Sequence, residues 1–247
     1  MKIGILTLPL HINYGGYLQA FALKSILLEH GNEVYLIENK NLYGNLLKRG
    51  LRQIKDSFSL LLFYLGKKNK EAEFILKEKK ISIFKDNYMC PIVDISNSKT
   101  LNDLDIVIVG SDQVWRPWKG LCRNSLYFFL DFIKSTKTKK ISYAASFGID
   151  KWEYNPVETI QIKKLLQDFS IISVREDDGV SLLQDNLGLP SIRMCDPTLL
   201  LTKNDYLSTL RIHHPDNDRI SSYILDSNSS KDDMLKIVAS FFKNDVL

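Results

Sequence analysis

Residues 105–115, Asp-Ile-Val-Ile-Val-Gly-Ser-Asp-Gln-Val-Trp, constrain this chain more than any other stretch. Ile106 to Gly110 runs apolar without alternation, which is the pattern of a strand buried on both faces of a parallel sheet. Directly after it the chain turns polar at Ser111, Asp112 and Gln113, then aromatic at Trp115 and Trp118. In open α/β sheets, ligands bind in the crevice outside the carboxyl ends of the strands. Chemistry is therefore expected just after this strand. The competing reading is that Asp112 only caps the next helix or turn.

The flanking sequence repeats the strand–helix rhythm. Lys2 to Leu8 reads as a first buried strand, His11 to Gly16 as a loop, and Tyr17 to His30 as a helix closed by Gly31. Leu18, Phe21, Ala22, Ile26 and Glu29 fall at helical spacing and predict its core face. Glu33 to Ile37 completes a βαβ unit, whose crossover should be right-handed. Further on, strands are predicted at 140–145, 170–174 and 191–195, and helices at 156–169 and just after Arg175. Glu176, Asp177 and Asp178 crowd the start of that last helix, where carboxylates are favoured by the dipole, and Gly188 closes it. The fold class is thus α/β: a Rossmann-like parallel sheet flanked by helices, over residues 1–201, with a helical insertion at about 43–88. Residues 202–247 read as a linker followed by the start of a second α/β unit, with a strand at 220–225 and a helix at 231–243.

Composition removes several classes. With 45% hydrophobic and 25% charged residues the chain is that of a globular protein, and a net charge of +4 does not by itself indicate nucleic acid. Cys90, Cys122 and Cys195 form no CxxC pair, so neither a disulfide framework nor a metal site is indicated. His213-His214 lacks partners at ligand spacing. No apolar run approaches the ~18 residues of a membrane span, and the start has no leader pattern, so the expected location is cytoplasmic. Between residues 48 and 80 stand ten Lys or Arg against four Asp or Glu. Beside the apolar run 59–65, this stretch fits either peripheral contact with the inner face of an anionic membrane or a solvated basic face with one buried stripe.

Four polar clusters follow four predicted strands: Asn13 to Gly16, Ser111 to Gln113, Ser146 to Gly148, and Arg175. In a parallel sheet all four share one edge. Gly15 and Gly16 at a helix start let backbone amides approach an anion, although a tight strand-to-helix turn explains them equally. The loop matches neither GxGxxG nor GxxxxGK[ST]. Arg175 can fork onto a carboxylate or phosphate, or brace Asp196 or Glu176. His11 is the one histidine in a predicted site loop, placed either to act as acid or base or to hold the loop by hydrogen bonds. Trp115, Trp118 and Trp152 can stack on a sugar or fill the core.

Several segments together resemble the polysaccharide pyruvyl transferase family. They are Asn13-Tyr14-Gly15-Gly16 with Gln19-Ala20, Val109 to Trp115, and Ser142 to Gly148, followed by Ser173 to Asp177 and Asp196 to Leu200. The resemblance implies one half of a two-domain, GT-B-like fold. It also implies transfer of the enolpyruvyl group of phosphoenolpyruvate, the donor substrate, to a sugar of a cell-surface or exopolysaccharide glycan, with no other cofactor. The acceptor is then a glycan or lipid-linked oligosaccharide. Asp112 and Arg175 stand at positions suited to catalysis, as acceptor-side carboxylate and anion holder. His11, Asn13, Tyr14, Gly15, Gly16, Gln19, Ser111, Gln113, Trp115, Ser146, Phe147, Gly148 and Glu176 would line the substrate cleft. Family members usually carry a whole second domain, so this chain is expected to be an incomplete version. Two other activities fit such a fold: a nucleotide-sugar glycosyltransferase, and a non-catalytic module that binds a glycan or a partner.

Overall fold

A computed structural model describes residues 1–10, 13–39, 70–89, 91–117, 126–212, 222, 224 and 228–242. The chain divides into two compact units, residues 1–202 and 203–247.

The first unit is built on six parallel strands. These are β1 (Lys2–Leu6), β2 (Glu33–Glu38), β3 (Ile92–Asp94), β4 (Ile106–Val109), β5 (Lys139–Ser142) and β6 (Phe169–Ile171), in the spatial order β3-β2-β1-β4-β5-β6. Every pairing is parallel. This is the Rossmann order, whose topological switch point lies between β1 and β4. The apolar runs of β1, β2 and β4 lack polar alternation because both faces of the sheet are covered. Ile3, Ile5, Val34, Leu36 and Ile108 enter one core with Leu23, while Leu6, Ile37, Val107 and Val109 enter the other. Alternate residues therefore serve opposite cores.

Helices α1 (Tyr14–Glu29), α2 (Lys70–Tyr88), α3 (Ser98–Asn102), α4 (Pro156–Leu166) and α5 (Asp177–Leu187) complete the unit. The α1 helix begins three residues before the predicted Tyr17, because Asn13 caps it: its Oδ1 accepts the Gly16 N–H at 3.2 Å. Its buried residues include the predicted Phe21 and Ala22 together with Tyr17, Ala20 and Leu23, whereas Leu18 is 37% exposed. Phe21 also meets α2 edge-on through Phe84 and Tyr88. Of the predicted insertion at 43–88, only α2 falls among the described residues, and most of the basic stretch 48–80 lies outside them.

Two further expectations are corrected. The helix predicted to reach Phe169 stops at Leu166, and Phe169 opens β6 instead. The single strand predicted at 170–174 is two strands. β6 pairs with β5, whereas β7 (Ser173–Val174) pairs with β8 (Ile192–Arg193) in a separate small sheet. Side chains bridge the break. Ser142 Oγ donates to the Ser173 carbonyl at 3.0 Å and accepts its N–H at 2.8 Å, while Ser173 Oγ donates to the Ser142 carbonyl at 2.7 Å. Both serines are sealed from solvent. Hydroxyls here satisfy backbone groups that a regular ladder would have paired.

In the second unit, α6 (Lys203–Thr209) and α7 (Ser229–Phe242) are described. Of the strand predicted at 220–225 only residues 222 and 224 are described, and neither is in a strand; the His213-His214 pair lies outside the described residues. No described helix is long and apolar enough to cross a membrane.

Candidate active site

Strands of a parallel sheet all end on one edge, so the turns after β1, β4 and β5 meet there, and an Ala145–Val174 bridge brings the turn after β7 to the same edge. Thr7, buried at the end of β1, receives Gln19 Nε2 at 2.9 Å, and the same nitrogen donates to the Gly16 carbonyl at 2.9 Å. Gln19 Oε1 accepts the Ser111 N–H at 3.0 Å. Gln19 thus joins β1, α1 and the turn after β4, but from inside the protein, at 2% exposure. It positions the cleft and does not line it.

The turn after β4 is held tightly. Gly110 has φ +133°, and a Cβ there would lie 2.1 Å from the Tyr143 carbonyl oxygen. Only glycine fits such a backbone. Gly110→Ala is expected to cost roughly 3 kcal/mol or more, the scale of strongly strained backbone, and to lower Tm by about 6–12 °C; differential scanning calorimetry checks it.

Beyond Gly110, Asp112 Oδ1 accepts the Gln113 N–H at 2.8 Å, and Oδ2 lies 3.4 Å from Asn13 Nδ2. A Cβ on Gly16 would come within 3.3 Å of the same oxygen. The first turn of α1 contains no acidic residue, and Asp112 brings a carboxylate to it from another element. The Gly15–Gly16 turn, whose sequence fits an anion cradle or a tight strand-to-helix turn equally, has this carboxylate of the protein beside Gly16. Helix N-termini favour that arrangement.

The second cluster centres on Arg175, which follows β7. Its Nε donates to Glu176 Oε1 at 2.7 Å, and Nη1 donates to Asp196 Oδ2 at 3.2 Å and to the Ser111 carbonyl at 3.2 Å. Burial opposes the guanidinium charge, but the hydrogen bonds and charges of Glu176 and Asp196 outweigh it and raise the Arg175 pKa above its ordinary value. Of the two readings of Arg175 left open by its sequence context, the structure shows the bracing of Glu176 and Asp196. Its inner nitrogens brace two carboxylates, while Nη2 makes no hydrogen bond among the described residues.

Two buried serines support these groups. Ser111 Oγ donates to Asp196 Oδ2 at 3.1 Å, and Ser146 Oγ donates to Glu176 Oε1 at 3.0 Å. Gly148 N–H in turn donates to Ser146 Oγ at 2.9 Å. Glu176 occupies the N-cap position of α5 without a capping bond from its side chain, because its carboxylate is turned to Arg175 and Ser146.

The structure therefore brings together Asn13, Gly16, Ser111, Asp112, Gln113, Ser146, Gly148, Arg175 and Glu176. Tyr14 and Gly15 are exposed in the first turn of α1. Trp115 and Phe147 differ from expectation. Trp115 is wholly buried, donates from Nε1 to the Phe128 carbonyl at 3.1 Å and stacks on Phe129; Phe147 packs against Trp115 and Trp152. They fill the core beneath the site, since flat apolar rings gain more from burial than from a wet cleft. Trp152 also caps that core, with Nε1 donating to Thr159 Oγ1. His11 and Trp118 lie outside the described residues. Asp196 was missing from the expected lining. Its signal was Asp-Pro-Thr: Oδ1 caps the 197–199 turn by accepting the Thr198 N–H and hydroxyl, leaving Oδ2 for Arg175 and Ser111. Tyr143, next to Gly110, buries a hydroxyl without a hydrogen bond; burial, with Cys195 and Asp196 nearby, pushes its pKa up to about 12. Among the described residues no group of His, Cys, Asp or Glu is placed to hold a metal.

Fold and rim together define a Rossmann-like α/β domain with a carboxylate-rich, arginine-braced site at the switch-point edge of its sheet. A model of the polysaccharide pyruvyl transferase family matches residues 13–245. The chain belongs to that family, and a polysaccharide-modifying family implies a glycan acceptor. No curated protein matches the sequence.

Proposed function

We propose that this protein takes part in transferring the enolpyruvyl group of phosphoenolpyruvate to a glycan, forming a pyruvate ketal. The observation that carries the reading is the family match over residues 13–245. In the proposed reaction two sugar hydroxyls form bonds to C2 of the enolpyruvyl group and the C2–O bond to phosphate breaks. One hydroxyl proton ends on C3, which becomes a methyl group, and the other leaves with phosphate. Such chemistry requires a base at the acceptor hydroxyl, an acid for C3 and a cation for the anionic donor.

Asp112 suits the first role: it is partly exposed, and its carboxylate is oriented by the Gln113 N–H and the Asn13 amide. Arg175 suits the third, with Nη2 turned to no protein acceptor among the described residues. Three carboxylates, Asp112, Glu176 and Asp196, stand at this rim with two guanidiniums, that of Arg175 and that of Arg116 on Gln113 Oε1. That balance favours a hydroxyl-rich, uncharged sugar on this side, held as carbohydrates are held by carboxylates and amides. A GT-B-like pairing with a second Rossmann-like domain belongs to the same reading. Phosphate release from phosphoenolpyruvate, measured with a glycan acceptor and checked by the methyl signal of the ketal in proton NMR, tests it. Release that needs no acceptor, or that never yields a ketal, refutes it.

A further inference from the structure

On the opposite edge of the sheet, the start of β5 and the turns at 131–138 and before β6 enclose a cavity of about 360 Å³. Lys140 lines it and is 7% exposed, the one Lys, Arg, Asp or Glu among the buried residues described. The stem of Lys140 is buried while its ammonium reaches the cavity, where it has three N–H donors to offer a ligand. Lys140 Nζ makes no hydrogen bond among the described residues; its ion pair is with the exposed Asp168, at 3.6 Å. Around it stand other donors. Ser135 Oγ accepts the Lys137 N–H at 3.3 Å, which leaves its own proton unspent, and the Thr136 hydroxyl has no partner among the described residues. Lys134 also faces the cavity, its ammonium bound to the Asp131 carbonyl at 2.5 Å. The carboxylates on the wall are Asp131, which has another partner, and Asp168, which is paired with Lys140.

We propose that this cavity binds a small oxyanion: phosphate, either free or as the end of a small phosphomonoester. A tetrahedral oxyanion accepts from an ammonium and two hydroxyls at once, which the aspartate at 3.6 Å does not do for Lys140. Because the cavity opens on the amino ends of the strands, the site is separate from the carboxyl-edge rim, and the inference does not depend on the proposed transfer.

The experiment is calorimetric titration of the full chain with inorganic phosphate and with glycerol 3-phosphate, at constant ionic strength balanced by sodium chloride. Saturable binding is expected that survives Arg175→Met and weakens at least tenfold in Lys140→Met. Tighter binding of glycerol 3-phosphate identifies a monoester as the ligand; equal or weaker binding identifies free phosphate. Should Lys140→Met fail to fold, the exposed-hydroxyl double variant Ser135→Ala/Thr136→Val carries the same expectation. Absence of binding, or binding lost in Arg175→Met but unchanged in the cavity variants, overturns the proposal.

Discussion

Asp112→Asn is expected to lower kcat for ketal formation by about 10²–10⁴, the usual contribution of a positioned acid or base, while the protein stays folded. The fold should survive because the substitution keeps the shorter of the two contacts of Asp112 and gives up only the 3.4 Å contact with Asn13. An amide oxygen at Oδ1 still accepts the Gln113 N–H, now at 2.8 Å. What is lost is the proton-accepting oxygen at Oδ2, beside Asn13 and the first turn of α1. KM for the acceptor should change much less than kcat, since hydrogen-bonding capacity remains while the charge needed in the transition state goes. Steady-state kinetics with near-ultraviolet circular dichroism separates these outcomes. An Asn variant within threefold of the parent kcat would remove Asp112 from the chemistry and leave it a helix-capping carboxylate.

Arg175→Met has a double expected effect. If Nη2 holds the anionic donor, the variant loses at least about tenfold in kcat/KM for phosphoenolpyruvate, the scale of one charge-assisted hydrogen bond. It also leaves Glu176 and Asp196 without the cation that joins them. A fully buried pair broken in this way costs about 3–5 kcal/mol. Arg175 is 30% exposed at its side chain, so solvent screening reduces the expected loss to about 1–3 kcal/mol. The sign with pH follows from charge. The guanidinium stays charged at every accessible pH, so the pairs persist wherever the carboxylates are ionised. Carboxylates in general are neutralised toward pH 4 and below, and there the stability gap between parent and variant should narrow. Arg175→Lys is expected to recover little, because one ammonium cannot reproduce the Nε and Nη1 fork. Chemical denaturation at neutral and acid pH reads the gap directly. A gap that widens on acidification would contradict the ion-pair account.

Much of the architecture was legible because it depends on local pattern. Apolar runs at Lys2–Leu6 and Ile106–Val109 identify doubly covered strands wherever they occur. Gly31 and Gly188 end their helices in left-handed conformations, with φ of +74° and +65°, as their place after the periodic residues implied. Errors fell at boundaries. A loop asparagine and an N-cap asparagine look alike in sequence, and Asn13 is a cap because its Oδ1 accepts the Gly16 N–H. Phe169 fits the helix as well as the strand, because one apolar residue suits the end of either period. Nothing local to Ser173 shows that its hydroxyl replaces a ladder bond with Ser142 and so divides the strand.

From its residues alone, this chain determined a parallel Rossmann-like sheet with polar turns at the carboxyl ends of its strands, because periodicity and turn chemistry act over a few neighbours. Tertiary structure alone decided which polar residues meet solvent and which act as internal struts. Ser111 and Asp196 are 85 positions apart and yet hydrogen-bonded, Gln19 and Trp115 turn inward, and Lys140 is enclosed at the far edge. Those outcomes depend on contacts between distant segments, formed only when the sheet closes and each side chain exchanges water for its particular partners.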